Sequence, residues 1–227
     1  MSRLFILILC ACLYSLQSWA ASSFEYSVKE CKNWVAENPP KIEVIYNYGD
    51  LHYDYEKSPD EIKQIYLEDN PNGVVERIRG LTQLSARASV SIDPETVMLK
   101  SERYCTYPKK IEVKLLYTPV VYISNRLKKD SCQFNLTMRH EQTHLQFGHQ
   151  ALRDAAKDMR DNLQQYIETN GPFVSKDNYE ADEQKVVQIY TNKVEQIFTD
   201  FRKNLEKQNT RIDTTENYKK EASYCRD

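Results

Sequence analysis

From residue 85 to residue 92, apolar and polar side chains alternate one for one. Ala86, Ala88, Val90 and Ile92 share one face, and Ser85, Arg87, Ser89 and Ser91 share the other. A period of two belongs to a strand with one buried side. Asp93-Pro94 predicts a turn into a second strand over roughly 97–105. Ile111, Val113, Leu115 and Tyr117 alternate in a third, which 120–123 continue after Pro119. Upstream, 41–46 and 51–55 flank Asn47-Tyr48-Gly49-Asp50 and predict a hairpin. Ser58-Pro59-Asp60-Glu61 combines an N-cap, a proline at the first helical position and a capping-box glutamate. A short helix should run from there to about Glu68, ended by Asn70-Pro71-Asn72-Gly73.

After Asp130-Ser131 the period becomes helical. Leu136, His140, Thr143, His144, Phe147, Ala151, Ala155, Met159, Leu163 and Tyr166 form one stripe, and Asn170-Gly171-Pro172 ends it. A second long helix should begin near Asn178, with Val187, Tyr190, Val194, Ile197, Phe201 and Leu205 as its stripe. Two striped helices joined by a short loop predict an antiparallel hairpin. The tail from Asp213 to Cys225 predicts a short helix capped by Asp213 or Thr214. The expected fold class is α+β, with a small antiparallel or mixed sheet first and the helices last. One domain over 21–227 is expected, mainly strands with one helix over 24–123 and helical over 130–225.

The N-terminus changes the picture of where the chain folds. Arg3 precedes an apolar run over 4–16, followed by Gln17-Ser18-Trp19-Ala20-Ala21. The run is too short to span a bilayer and reads as a signal peptide over 1–20, cleaved after Ala20 or Ala21. A secreted protein of the bacterial periplasm is expected, with no transmembrane segment after cleavage. A lipoprotein through Leu9-Cys10-Ala11-Cys12 would need a shorter apolar run before its cysteine. Cleavage leaves Cys31, Cys105, Cys132 and Cys225, an even number that implies disulfides in an oxidising compartment. Cys105 and Cys132 flank one stretch of strand, so Cys105–Cys132 is expected. Cys31–Cys225 would then tie the ends of the mature chain together. The formal net charge of −2 comes from interspersed acidic and basic residues, and nothing recommends a nucleic-acid partner.

Candidate chemistry lies at His140-Glu141-Gln142-Thr143-His144, an H-E-x-x-H pentapeptide on the first long helix. Helical residues four apart stand about 40° apart around the axis and one turn along it. Both imidazoles can therefore reach one metal ion, with Glu141 beside them to take a proton from an attacking water. Chance alone yields this pattern in roughly one per cent of chains this size, so context has to decide. Here the motif lies on a predicted helix, the helix follows a strand, and the chain is expected to be exported.

A third ligand is needed, most naturally a carboxylate. His149 is out of register with H-E-x-x-H-x-x-G-x-x-H, because Gly148 comes one residue late and His149 one residue early. On a continuing helix it faces away from His140 and should be an exposed polar residue. Some zincins carry Glu-x-x-Ala-Asp on a later helix, but Asn178 stands at the ligand position of Asn178-Tyr179-Glu180-Ala181-Asp182. A hairpin turning near Phe173 also carries Glu180 far from the histidines. Residues level with them lie between about Asp200 and Asp213, which makes Glu206 and Asp213 the candidates, Asp213 the better. His52 is expected to be an ordinary strand histidine. Asn135-Leu136-Thr137 matches a glycosylation sequon without consequence inside a helix.

With these residues in view, the chain resembles the secreted bacterial zinc-dependent protease family, a domain of unknown function with an HExxH zincin motif. The likeness runs from about Cys105 to Tyr218, and outside the pentapeptide it rests on a late Tyr-Asp-x-x-Thr-x-His-Gly segment. Asp213 matches within Ile212-Asp213-Thr214-Thr215-Glu216-Asn217-Tyr218, whereas Glu216, Tyr218 and Lys219 depart from Thr, His and Gly. The resemblance implies a zincin-like fold, one Zn2+ per chain and a zinc metallopeptidase acting on a peptide or protein substrate. His140 and His144 would bind the metal, Glu141 would be the catalytic base, and Asp213 the third ligand. Tyr218 could take over as phenolic ligand or oxyanion donor. The rival expectation is a non-enzymatic envelope protein whose helical hairpin binds a partner, with no metal or a purely structural one.

Overall fold

The alternation over 85–92 belongs to a strand more than twice that length. In a computed structural model that describes residues 23–71, 73 and 78–225, helix α1 spans 23–37. Strands β1 (Lys41–Tyr48) and β2 (His52–Asp54) follow, then α2 (Pro59–Asp69), β3 (Gly80–Met98) and β4 (Tyr104–Ile123). The chain continues with α3 (Cys132–Asn170), β5 (Phe173–Ser175), α4 (Tyr179–Asn209) and α5 (Thr215–Ala222). The signal peptide expected over 1–20 lies outside the described residues.

The fold is mixed α+β, and β4 is the strand with which β1, β2, β3 and β5 all pair. β2 runs parallel to it, with His52 opposite Val120, and β5 antiparallel, with Tyr104 opposite Ser175. The expected β1–β2 hairpin is not formed, because β4 lies between the two strands. Asn47 and Tyr48 stay in β1, and no turn forms over 47–50, because turn-prone residues do not fix the partner a strand takes. Gly49 donates to the Tyr117 carbonyl at 2.7 Å as the connection passes β4.

Asp93-Pro94 likewise makes no turn. It sits inside β3, which among the described strands pairs with β4 alone, and an edge strand tolerates a residue without an N–H. The reversal comes at 99–103 instead, where Leu99 donates to the Arg103 carbonyl at 2.8 Å and Glu102 takes a φ of 57°. No strong turn dipeptide marks that stretch. Helix α1 also escaped the alternation, although Val28, Cys31 and Val35 recur at helical spacing.

The helices follow their local signals closely. Ser58 and Glu61 form the reciprocal capping box of α2. Ser131 Oγ accepts from the Phe134 N–H at the start of α3, and Gly171, at φ 64°, follows its last residue. Asn178 Oδ1 accepts from the Ala181 N–H, so the residue that stood at a zincin ligand position caps α4. Thr214, rather than Asp213, caps α5. Among the described residues no helix is long and apolar enough to cross a membrane.

Two compact units are woven from interleaved stretches of chain. One takes 23–43, 90–112 and 161–193. Its core gathers Cys31, Leu99, Cys105 and Tyr107, with Val35, Val97 and Val174 against them, and Tyr166 meets Tyr190 edge to face at 5.5 Å. The other takes 44–71, 73, 78–89, 113–160 and 194–225. There Val121, Ile123 and Leu145 pack with Tyr53, Leu84, Leu127, Phe134 and Met138, so α3 lays one stripe on the sheet. Pairing of α3 with α4 is antiparallel, since Tyr166 meets Tyr190 in the first unit and His144 meets Asn209 in the second.

The disulfides correct the expected pairing. Cys31 bonds Cys105 and Cys132 bonds Cys225, in place of Cys105–Cys132 and Cys31–Cys225. β4 runs extended from Tyr104 to Ile123, so Cys105 sits inside one end of the strand and Cys132 lies past the other. Bridgeable cysteines have Cα atoms no more than about 7 Å apart. Two disulfides fit a chain that folds in an oxidising, extracytoplasmic compartment.

Candidate metal centre

On α3 the stripe of Phe134, Met138 and Leu145 faces the sheet, which leaves His140 and His144 on neighbouring faces, one turn apart. Both are buried, at 5 % and 6 % exposure, and Glu141 is buried at 4 %. Burial obliges each ring nitrogen to find a partner. His140 Nδ1 lies 3.1 Å from Glu221 Oε2, and His144 Nδ1 lies 3.0 Å from Asn209 Oδ1. A carboxylate and an amide oxygen only accept, so both Nδ1 atoms carry the proton. The Nε2 atoms are thereby left as lone-pair donors, and they point at one another across 3.2 Å.

Asp213 closes the triangle. Its Oδ1 lies 3.0 Å from His140 Nε2 and 3.1 Å from His144 Nε2. Three lone-pair donors facing one another repel unless a proton or a metal ion stands between them. A tetrahedral ion bound at about 2.0–2.1 Å would hold its donors about 3.3 Å apart, within a few tenths of the distances seen. The His140, His144 and Asp213 group could therefore hold a metal ion. Asp213 reaches it from the short link between α4 and α5, where its N–H bonds the Asn209 carbonyl at 3.2 Å and Thr214 begins the next cap.

Electrostatics agree with the geometry. Burial pulls the His140 pKa down, but the bond to Asp213 and the charges of Glu141 and Glu221 outweigh it and lift the pKa to about 9. His144 is raised too, its burial overcome chiefly by Asp213. Burial would raise Asp213, yet its bonds to His140 and His144 hold it below the usual carboxylate range. The Glu141 carboxyl is raised by burial, opposed in part by His144 and by the Thr82 hydroxyl. Thr82 Oγ1 donates to Glu141 Oε2 at 2.8 Å, and a Cβ at Gly80 would come within 2.6 Å of Glu141 Oε1. The start of β3 thus runs hard against this carboxylate.

Other sequence candidates stay outside the group. Glu206 and Glu180 are exposed on α4, His52 is exposed on β2, and Asn135 is exposed on α3. His149 is not the exposed residue its register predicts. It is half-buried, with the Tyr48 ring at 4.4 Å and the Tyr117 ring at 5.9 Å. Gly148 makes that packing possible, because any Cβ there would collide with the Tyr117 hydroxyl.

Glu221, Asn209 and Thr82 were missed. Asn209 looks like a helix end and Thr82 like a strand residue, so neither carries a signal. Glu221 could have been found, because it lies on the same short helix as Tyr218, just after Asp213. Tyr218 Oη donates to Asp213 Oδ1 at 2.8 Å, and its ring lies 4.9 Å from that of His140.

No protein-family model, curated protein or solved structure matches the chain.

Proposed function

We propose that the chain is a secreted, periplasmic zinc-dependent metallohydrolase, and that it is a peptidase. The observation that carries this reading is the convergence of His140 Nε2, His144 Nε2 and Asp213 Oδ1 beside the buried Glu141. Two imidazoles and one carboxylate suit zinc and leave a fourth position open. A zinc ion held there would polarise a carbonyl and lower the pKa of an attacking water. Glu141, buried beside the three converging atoms, takes the water's proton and passes it to the leaving amine. An extended peptide is favoured because β3 pairs with β4 alone among the described strands and begins against Glu141. A strand followed by an H-E-x-x-H helix also supports the zincin-like resemblance. Glu141→Gln should keep about one zinc per chain and abolish hydrolysis of unfolded casein. Undiminished hydrolysis by that variant would falsify the mechanism.

One observation favours a second reading, a metal that clamps without turnover. α5 buries no residue of its own, so a metal joining α3 to the Asp213 link could serve to hold the tail. Zinc binding without hydrolysis, together with a lower melting temperature after chelation, would select the clamp. Melting unchanged by chelation would remove it.

A further inference from the structure

We propose that Tyr218 is a catalytic residue of this centre, the donor that hydrogen-bonds the carbonyl oxygen as it turns negative. The proposal rests on the metallohydrolase reading above. That chemistry needs a proton donor aimed at the developing oxyanion, and none is supplied by Glu141, whose task is to accept a proton. Tyr218 Oη already bonds Asp213 Oδ1, the atom that also meets both Nε2 nitrogens. A hydroxyl therefore stands at the rim of the point where the ligands converge.

The side on which it stands matters. His140, Glu141 and His144 are at most 6 % exposed, whereas Tyr218 is 48 % exposed. Substrate must arrive from solvent, so the phenol lies on the approach side and Glu141 on the inner side. The ring is nevertheless held. It leans on the His140 imidazole at an interplanar angle of 34°, and its helix is fixed by the Thr214 cap and by Glu221 on His140. Ground-state geometry also leaves the proton available. Both Nε2 atoms and the phenol crowd Asp213 Oδ1, and a cation bound to that oxygen would weaken its hold on the phenol. The hydroxyl can then turn to a stronger anion a short distance away.

The step balances without a further reagent. Water oxygen bonds the carbonyl carbon, its proton goes to Glu141, and the carbonyl π pair becomes a lone pair on oxygen. Tyr218 shares its proton with that oxygen and keeps it. When the C=O bond re-forms, the C–N bond breaks and the amine leaves with the proton from Glu141.

The test compares wild type with Tyr218→Phe, which removes one oxygen from a half-exposed ring and leaves the fold intact. Both proteins are loaded with Co2+, and acetohydroxamate, whose anionic oxygen mimics the adduct, is titrated in while the visible absorption is followed. With both proteins saturated with Co2+, acetohydroxamate should bind the variant about 100-fold more weakly, the scale of losing one oxyanion donor. Equal acetohydroxamate affinity overturns the proposal while leaving the metal centre standing. A loss of metal affinity without a separate loss of acetohydroxamate affinity also overturns it, and makes Tyr218 a prop for Asp213. A wild type that takes up no metal overturns the underlying reading and this proposal together.

Discussion

The two long helices meet on opposite terms at their two ends. In one unit α3 presents Tyr166 to Tyr190 of α4, ring against ring. In the other the same helices present His144 to Asn209, and His140, Glu141 and Asp213 gather beside them. Burying a ring requires area and shape, and many large side chains would serve. Burying imidazoles and a carboxylate requires a counted partner for every nitrogen and oxygen. This is why the polar end recruits Glu221, Tyr218 and Thr82 from two other elements, α5 and β3, while the apolar end needs little beyond its own stripes.

The largest effects should separate the two ends outright. His144→Ala removes a converging nitrogen and should drop zinc from about one per chain to none in elemental analysis. A folded His144→Ala protein that keeps its zinc would break the comparison. At the other end, Tyr190→Ala should cost about 3–5 kcal/mol in urea denaturation, as large core truncations do, and leave the zinc content of the folded protein unchanged.

The disulfides sharpen the contrast. Their sequence separations, 74 and 93 residues, predict nearly the same loss of stability, about 4–5 kcal/mol by loop entropy. Only one of them should matter to the metal. Cys31–Cys105 is fully buried in an apolar core, whereas Cys132–Cys225 ties the start of α3 to the segment just after α5. An eight-residue helix that buries nothing is not stable alone, so its carboxylate stays on His140 only while it is held. Replacing Cys132 and Cys225 by serine should weaken zinc binding by about 10–100-fold, as loss of an orienting partner does. Serine at Cys31 and Cys105 should leave zinc affinity unchanged. Glu221→Ala, which takes the same partner away directly, should fall in the same range, and competition with a chromogenic chelator reads both.

The smallest effect is one of pH. The His140 pKa rises from 6.5 to about 9 on folding, so its contribution to stability is full below 6.5 and lost as pH climbs through about 9. Asp213 is lowered from 3.8, so its contribution is present above that value and lost on acidification. Chelated protein should therefore resist urea best between about pH 4 and 6.5 and less well at pH 9.5. Zinc must displace the His140 proton, so zinc affinity should rise with pH until about 9. A urea midpoint that climbs from pH 6 to 9.5 would contradict this ordering.

Legibility in the sequence differed by kind of element. Helices other than α1 announced themselves through caps and period: Ser58 with Glu61, the stop at Gly171, and both long stripes lie where the sequence predicts them. Strand partners did not. The turn signals at 47–50 and at Asp93-Pro94 made no turns, since residues 47, 48, 93 and 94 all lie within strands, and pairing is a non-local choice that no local signal encodes. Of the candidate site, His140, Glu141 and His144 could be read from one helical turn. Asp213 could be placed only by counting residues back along the expected hairpin. Cysteine pairing went wrong because it assumed a shorter strand.

The sequence by itself determined the histidine pair and the glutamate beside it, since helical spacing fixes their mutual placement within one turn. It also determined the antiparallel helices that bring a second element alongside. Only the tertiary structure decided which carboxylate completes the triangle, which oxygens set both imidazole tautomers, and which cysteine holds the tail in place. Those are distances between residues tens of positions apart, and they exist only once β4, α3 and the C-terminal segment have packed.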